Sequence, residues 1–385
     1  MVEELELSVV MPCLNEAETL EVCIQTAWRA IRESGIHGEI IVSDNGSSDG
    51  SPAIAEKAGA RVVHASAKGY GNALQAGIQA ARGRYVVMGD ADGSYDFGAI
   101  PPFLESLREG NDLVMGCRFP RYGGRIERGA MPWKHRWVGN PVLTGLGKFF
   151  FSSPVNDFHC GLRAFRRDAV VSLNLRTGGM EYASEMVMKA TLAGLRISQI
   201  PITLRPDGRS RPPHLRSWRD GWRHLRFMLL FSPDWLFIFP GLIMALTGLI
   251  GFVILWPKPL AISSITFDLN SLLVSSTSFL VGFQIFLFGL FIKAYAVGKG
   301  LLPGKNYWTS LVKGNATEWG FLIGCFIALI GAGILGNAVL EWRAAGFGQL
   351  SYQESLRTVI LAVTGIGLGI QIAFYGFALN ILGLE

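Results

Sequence analysis

The sequence predicts an α/β domain built on a mostly parallel, Rossmann-like sheet, followed by an α-helical membrane domain of four spans. Three observations predict it. Short apolar runs alternate with segments of helical period over residues 1–204. Acidic and turn-forming residues gather where several of those runs end. Residues 236–380 then carry four apolar stretches, each close to the ~20 residues a bilayer requires.

The elements follow in order. "LSVVMP" (7–12), closed by Pro12, reads as a buried strand. "EAETLEVCIQTAWRAIRES" (16–34) places Leu20, Cys23, Ile24, Ala27 and Ile31 at helical spacing and stops at Gly35. "GEIIVSDNGSSDGS" (38–51) is a strand ending in Asp44 and a turn, and Pro52 suits the first turn of a second helix. "RVVHA" (61–65) is a third strand and "GNALQAGIQAARG" (71–83) a third helix. "YVVMGDAD" (85–92) is a fourth strand, and "DLVMGCRF" (112–119) a later one. Ligands of such sheets bind beyond the carboxyl ends of the strands. Asn15 with Glu16, Asp44, and Asp90 with Asp92 all fall there.

Half of the 385 residues are hydrophobic and only 17% are charged, too apolar for one soluble domain and too long for a bare bundle. The expected organisation is a soluble domain over 1–204, a basic interfacial segment over 205–234 and a membrane domain over 235–385, with spans at 236–256, 272–292, 319–339 and 359–379. Arginine-rich 205–226 and the loop 299–318, with Lys299, Lys305 and Lys313, place the N-terminal domain in the cytoplasm by the positive-inside rule. "MVEELELSVV" lacks the basic and apolar regions of a signal peptide. Five scattered cysteines (Cys13, Cys23, Cys117, Cys160 and Cys325) show no metal-ligand spacing and read as reduced thiols. "GIGLG" (365–369) is either a close helix contact or a flexible glycine-rich span.

The chemistry concentrates in "GDADGSYDF" (89–97). A D-x-D pair at a strand end suits a divalent cation bridging two phosphates. Such a hard cation takes oxygen ligands and needs only one or two carboxylates from protein. A solvated acidic turn is the alternative, disfavoured by the register with two other acidic strand ends. "PCLNEAETL" puts Asn15 and Glu16 at a helix start, where an acid suits the dipole. The Asn45-Gly46 turn lets Asp44 reach a base or ribose. "KGYGNAL" (68–74) fails as G-x-G-x-x-G at Leu74, although Lys68 and two glycines before a helix can approach a diphosphate.

Residues 117–137 set Arg118, Arg121, Arg125, Arg128, Lys134 and Arg136 against Glu127, which suits an anionic acceptor or a solvated basic loop near lipid. Seven arginines lie in 205–231; Arg216, Arg219, Arg223 and Arg226 recur at helical spacing, with Trp218 and Trp222 four apart. That pattern is an interfacial helix on anionic lipid, with Arg205 to Arg211 as a basic lid. Nucleic-acid binding is a poor rival, because the basic run leads directly into a span. Asp157 reads as a base, a sugar-hydroxyl ligand or an N-cap. Glu181 and Glu185 share a helix face and suit sugar hydroxyls or an arginine, Glu185 reading rather as part of a salt-bridge network.

"SVVMPCLNEAETL", "VSDNGSSDGS", "KGYGNAL", "GDADGSYDF", "DFHCGLRAFRRDAV" and "RPDGRSRPPHLRSWRDGWRHLRFML" together resemble glycosyltransferase family 2, and within it the polyprenyl-phosphate branch of dolichol-phosphate mannose and glucose synthases. The resemblance covers residues 7 to 240 and implies a GT-A fold with inverting transfer of a hexose from a nucleotide-sugar to a lipid phosphate. By the same resemblance Pro12, Leu14, Glu16 and Asp44 hold the nucleoside, and Asp90 and Asp92 the cation (Mg2+ or Mn2+) and the diphosphate. Asn15, Gly46, Ser47, Lys68, Gly71 and Ala91 complete the candidate nucleotide-sugar set. Arg118, Arg136 and Arg205 meet phosphate groups, and Asn140, Ser210 and Arg211 join the acceptor-phosphate candidates. Gly93 and Ser94 stand where the family often has a further acid or Gln, leaving Ser94 as a weak third metal ligand.

An ionised phosphate monoester attacks without a general base, so the site needs cations to position it and a metal to stabilise the leaving diphosphate. The expected partners are therefore a nucleotide-sugar, UDP-glucose or GDP-mannose in class, a polyprenyl phosphate and membrane lipid, with a homo-oligomer left open. A processive polysaccharide synthase is the nearest rival, but "KHRWVGN" lacks the Gln of a Q-x-x-R-W motif. A non-catalytic lipid-sugar transporter or scaffold is the third, opposed by the intact D-x-D.

Overall fold

In the computed structural model, residues 5–210, 217–299, 302 and 316–383 are described. The chain divides into two compact units, Met1–Met228 and Leu229–Glu385.

The first unit is an α/β domain. Its strands are β1 (Leu7–Cys13), β2 (Gly38–Asp44), β3 (Arg61–His64), β4 (Tyr85–Met88), β5 (Leu113–Cys117), β6 (Arg125–Ile126), β7 (Arg163–Arg166), β8 (Ile197–Pro201) and β9 (Thr203–Leu204). Its helices are α1 (Leu20–Glu33), α2 (Ser51–Lys57), α3 (Tyr70–Ala80), α4 (Ile100–Arg108), α5 (Asn140–Phe151), α6 (Arg167–Ser172), α7 (Tyr182–Leu192) and α8 (Ser217–Leu230). The main sheet runs β3-β2-β1-β4-β7-β5-β8, with β7 antiparallel to both neighbours and the other pairings parallel. β1 is buried throughout and β4 and β5 likewise, as continuous apolar runs in a sheet covered on both faces must be. Register sets the site: Cys13 lies opposite Asp44, and Val10 opposite Met88, so β1, β2 and β4 end at one edge.

Three boundaries differ from the sequence reading. β4 stops at Met88, so Asp90 and Asp92 stand in the following turn rather than in the strand. The helix expected from residue 16 begins at Leu20, and Glu16 lies in the turn before it, its carbonyl accepting Thr19 N and Leu20 N at 3.1 and 3.0 Å. The three later membrane helices outrun their expected 21 or so residues, because polar terminal turns continue them beyond the apolar run, whereas the first span runs Asp234–Leu255, 22 residues.

α8 is amphipathic. Trp222, Arg219, Arg223 and Arg226 are exposed, whereas His224 and Met228 are buried. His224 Nδ1 lies 2.8 Å from Ser184 Oγ on α7, and its ring stacks edge-on against His159 at 4.7 Å. Arg216 and the Trp218 side chain lie outside what is described.

The second unit consists of α9 (Phe239–Leu255), a short hairpin of β10 (Leu260–Ile262) and β11 (Ile265–Phe267), α10 (Leu269–Gly298), α11 (Ala316–Ala344) and α12 (Tyr352–Gly383). Among the described residues, four helices are long and apolar enough to span a membrane, at Asp234–Leu255, Leu269–Gly298, Glu318–Ala344 and Ser355–Ala378. Many of their large apolar side chains, such as Phe326, Leu329 and Phe374, are exposed, as a lipid-facing surface requires. α9 packs along α10 and α11 along α12. The "GIGLG" glycines serve the second pair: a Cβ at Gly369 would stand 2.5 Å from Ala328 N and from Gly324 O, so that motif is a close helix contact. Ser276 and Thr364 share a buried hydrogen bond at 2.6 Å, and Arg357 joins Asp268 to the carbonyls ending α9. Lys305 and Lys313 lie outside the described residues.

Candidate active site

The acidic turn after β4 is the centre of the site. Asp92 accepts the Ser94 N–H on Oδ1 at 3.0 Å and the Arg209 Nη2 on Oδ2 at 2.5 Å. Arg209 Nη1 reaches Glu16 Oε1 at 3.1 Å, and its Nε faces Asp207 at 3.4 Å. Glu16, Asp92 and Arg209 are nearly buried together, so each charge needs the others. Asp90 accepts the Tyr70 phenol on Oδ1 at 2.8 Å. Desolvation, then the neighbouring Asp92 charge, push the Asp90 carboxyl up to about 6.

The 205–210 segment straps this turn down. Arg205 N donates to Ser94 O at 3.0 Å and Gly208 N to Asp92 O at 2.9 Å. The Arg205 guanidinium pairs with Asp96 at 2.8 Å, and Ser210 binds Glu18 through N and Oγ at 2.8 and 2.5 Å. The basic lid expected over 205–211 is thus closed on the acidic tip by Arg209, a residue the sequence reading passed over in favour of Arg205, Ser210 and Arg211. Arg205 is engaged with Asp96 and Ser210 with Glu18; Arg211 lies outside the described residues. The signal for Arg209 was its place between Asp207 and Ser210 in the same arginine-rich run.

Among the described residues no three His, Cys, Asp or Glu side chains form a ready metal cage. The residues nonetheless fit a divalent cation completed by substrate phosphates. Asp90 and Asp92 supply hard carboxylate oxygens within one turn, and a guanidinium already serves as counter-cation to Asp92. Ser94 contributes a turn contact through its backbone N–H, which fixes Asp92.

On the nucleoside side, Asp44 turns inward. It accepts Gly46 N at 3.0 Å and Ser47 N at 3.1 Å, and its Oδ2 lies 3.3 Å from His64 Nδ1. Against the burial that would raise it, these hydrogen bonds hold the Asp44 carboxyl below its ordinary range. Asp44, the acid expected to reach a base or ribose, closes its own turn with these contacts. Asn15, at φ 59°, caps the same turn by accepting Ser48 N at 2.7 Å and donating its N–H to Ser47 Oγ at 2.9 Å. Pro12 is buried in β1, and Leu14 is half-buried just beyond it. Lys68 Nζ donates to Asn45 O at 3.1 Å, above Gly46. Ala91 is buried, its carbonyl accepting the Thr19 hydroxyl at 2.7 Å. Gly71 does not offer its N–H to a diphosphate, because that N–H donates to Gly178 O at 3.0 Å.

On the acceptor side, Arg118 and Asp157 form a bidentate pair, Nε and Nη2 each 2.7 Å from a carboxylate oxygen. Asp157 is 0% and Arg118 6% exposed. Asp157 is therefore the counter-ion of Arg118, and Arg118 spends most of its guanidinium inside the protein. Its Nη1 lies 3.5 Å from Tyr95 Oη, which accepts Gly161 N at 2.8 Å. Arg136 sits over the Trp137 ring at 5.4 Å, and Asn140 Nδ2 donates to Met131 Sδ at 3.5 Å. Trp133, Trp137, Val138, Val142 and Phe149 are exposed around them, an apolar face the sequence reading missed because its spacing is broken by a π-turn at His135–Gly139. Glu185 is buried and structural, accepting Arg176 N, Thr177 N and Lys189 Nζ; Glu181 folds beside Gly179.

Comparison with known proteins bears on the whole chain. Residues 8–173 match the model for glycosyl transferase family 2, and residues 290–383 match the family 2 C-terminal transmembrane region. The chain is 36% identical over 380 residues to the low-salt glycan biosynthesis hexosyltransferase Agl6 of Haloferax volcanii, covering 98% of this chain and 89% of that one. It is 31% identical over 202 residues to the dolichyl-phosphate hexose transferase of the same organism, covering 52% of this chain and 83% of that one. Among solved structures, glucosyl-3-phosphoglycerate synthase of Mycobacterium tuberculosis, with Mn2+ and UDP, is a distant likeness at TM-score 0.45 and 24% identity, covering 58% of this chain and 77% of that one. The α/β sheet with its acidic edge and the helices beyond it belong to glycosyltransferase family 2, in a multi-pass membrane enzyme.

Proposed function

We propose that this glycosyltransferase moves a hexose from a nucleotide-sugar to a polyprenyl phosphate at the cytoplasmic membrane face, with inversion and with Mg2+ or Mn2+. The observation that carries the reading is the acidic tip itself: Asp92 and Glu16 share one guanidinium at the edge where β1, β2 and β4 end. Such a site is built to hold a cation. A divalent ion there would supply charge neutralisation for the leaving diphosphate.

The chain's own residues divide the remaining work. Asp90 and Asp92 would hold the ion, whose charge would take the place of the Arg209 guanidinium on Asp92. The turn closed by Asp44, Asn15 and Ser47 shapes the nucleoside wall. Lys68 stands above that turn with two ammonium protons left for phosphate oxygens. The acceptor is already ionised, so no proton need be removed at the attacking atom, which agrees with Asp157 being committed to Arg118. Arg136, held over Trp137 among exposed apolar side chains, suits a phosphate whose tail lies in lipid. The relative named a dolichyl-phosphate hexose transferase supports the same acceptor class.

Purified full-length protein, offered UDP-glucose, GDP-mannose and UDP-N-acetylhexosamines in turn, should release nucleotide from one of them only when polyprenyl phosphate and a divalent cation are both present. Release that ignores the lipid phosphate would overturn the acceptor assignment.

A further inference from the structure

The "KGYG" motif at 68–71 fails as a phosphate loop, and the geometry gives it another task. A Cβ would stand 2.2 Å from Gly178 O at position 69 and 2.4 Å from Thr177 O at position 71. Gly71 N and Asn72 N donate to that same Gly178 carbonyl at 3.0 and 3.3 Å. Two missing side chains thus let the first turn of α3 press directly onto the 177–178 backbone. Tyr70, between them, has its Cα fixed from both sides.

From that fixed start the Tyr70 phenol donates to Asp90 Oδ1 at 2.8 Å. The other oxygen faces Gly161, where a Cβ would come within 2.6 Å of Oδ2 and 2.9 Å of the Tyr95 ring. The carboxylate is held by a donor on one oxygen and by close backbone on the other, so its rotation is restricted. A lone carboxylate in a turn would instead sample several orientations, and a cation would have to select one.

We propose that Tyr70 is a positioning residue for cation binding: by holding Oδ1 it fixes the one orientation in which the Asp90 carboxylate meets the metal. This rests on the reading of Asp90 and Asp92 as cation ligands. Hydrogen bonds to a ligating carboxylate typically matter 10–100-fold in metal affinity. The wedge of glycines is what makes that hydrogen bond rigid, which gives the motif its purpose.

The test is a titration of purified full-length wild type and Tyr70→Phe with Mn2+ alone, read as loss of the free aqueous Mn2+ electron paramagnetic resonance signal. Wild type should bind, and Tyr70→Phe should bind roughly 10–100-fold more weakly, with its transfer rate rescued by excess Mn2+ and its thermal unfolding little changed. Equal affinity in the two proteins would overturn the inference while leaving the cation site standing. No binding in wild type would instead overturn the parent reading. Should Tyr70→Phe not fold, 3-fluorotyrosine placed at position 70 keeps the question open to measurement. Its fluorine resonance must broaden as Mn2+ is added, and an unbroadened resonance in protein that binds Mn2+ counts against the role.

Discussion

Arg209 Nη2 lies 2.5 Å from Asp92 Oδ2, so the carboxylate that suits a divalent ion is already neutralised by the chain itself. A charge-assisted hydrogen bond of this kind is worth about 1.5–3 kcal/mol. Anything cationic that binds Asp92 must first displace it. Arg209→Gln should therefore bind Mn2+ alone about tenfold or more tightly than wild type. Titration of the free Mn2+ signal checks it, and a weaker or unchanged affinity would remove Arg209 from the role of internal counter-ion.

Asp92→Asn keeps the size of the side chain and the Ser94 contact but loses the charge. It should abolish transfer, with membrane insertion and folding retained. Activity that persists at saturating Mg2+ or Mn2+ would show that Asp92 is no ligand.

The Arg118–Asp157 pair predicts a loss of stability. Removing one partner of a buried bidentate pair strands the other charge, at a cost of about 3–5 kcal/mol. Asp157→Asn should unfold at a clearly lower temperature, while a double variant replacing both with apolar residues recovers much of the loss. Asp157→Asn as stable as wild type would contradict the burial of the pair.

Asp90 sets the pH dependence. Its carboxyl, ordinarily near 3.8, is pushed up to about 6 by desolvation and then by Asp92. A raised native pKa means the protonated form is the one folding favours. That contribution is present below the unfolded value and is lost as pH rises through about 6. Charged Asp90 is thus costly at neutral pH, and a bound cation offsets the cost. The Mn2+ concentration for half-maximal transfer should climb about tenfold for each unit below that pKa. A flat requirement between about pH 5 and about pH 8 would contradict it.

Gly369 predicts the behaviour of the membrane unit. With a Cβ only 2.5 Å from Ala328 N, Gly369→Val must part α11 from α12. Detergent-solubilised protein should lose thermal stability, measured by fluorescence-detected gel filtration, whereas Gly333→Val, at a position with open space, should not.

The fold was largely legible because its signals are local and repeated. Buried strands read as unbroken apolar runs, and the long spans leave no alternative to lipid. The acidic edge was legible too, since Asp44, Asp90 and Asp92 each follow such a run. What failed to show was pairing across long sequence distance. Nothing in a linear pattern says that Arg209 folds back on Asp92 117 residues earlier, or that Asp157 spends both oxygens on Arg118. The antiparallel β7 was hidden for the same reason, as "RAFR" is too short to announce a direction. "KGYG" was noticed for its glycines, while its working residue lay between them.

The most direct measurement is product analysis with purified enzyme, radiolabelled donor, polyprenyl phosphate and Mn2+, followed by organic extraction. The account predicts label in the organic phase as a lipid bearing one hexose, absent with a chelator and absent with Asp92→Asn. Label in an aqueous polymer, or lipid label that survives chelation, would contradict it.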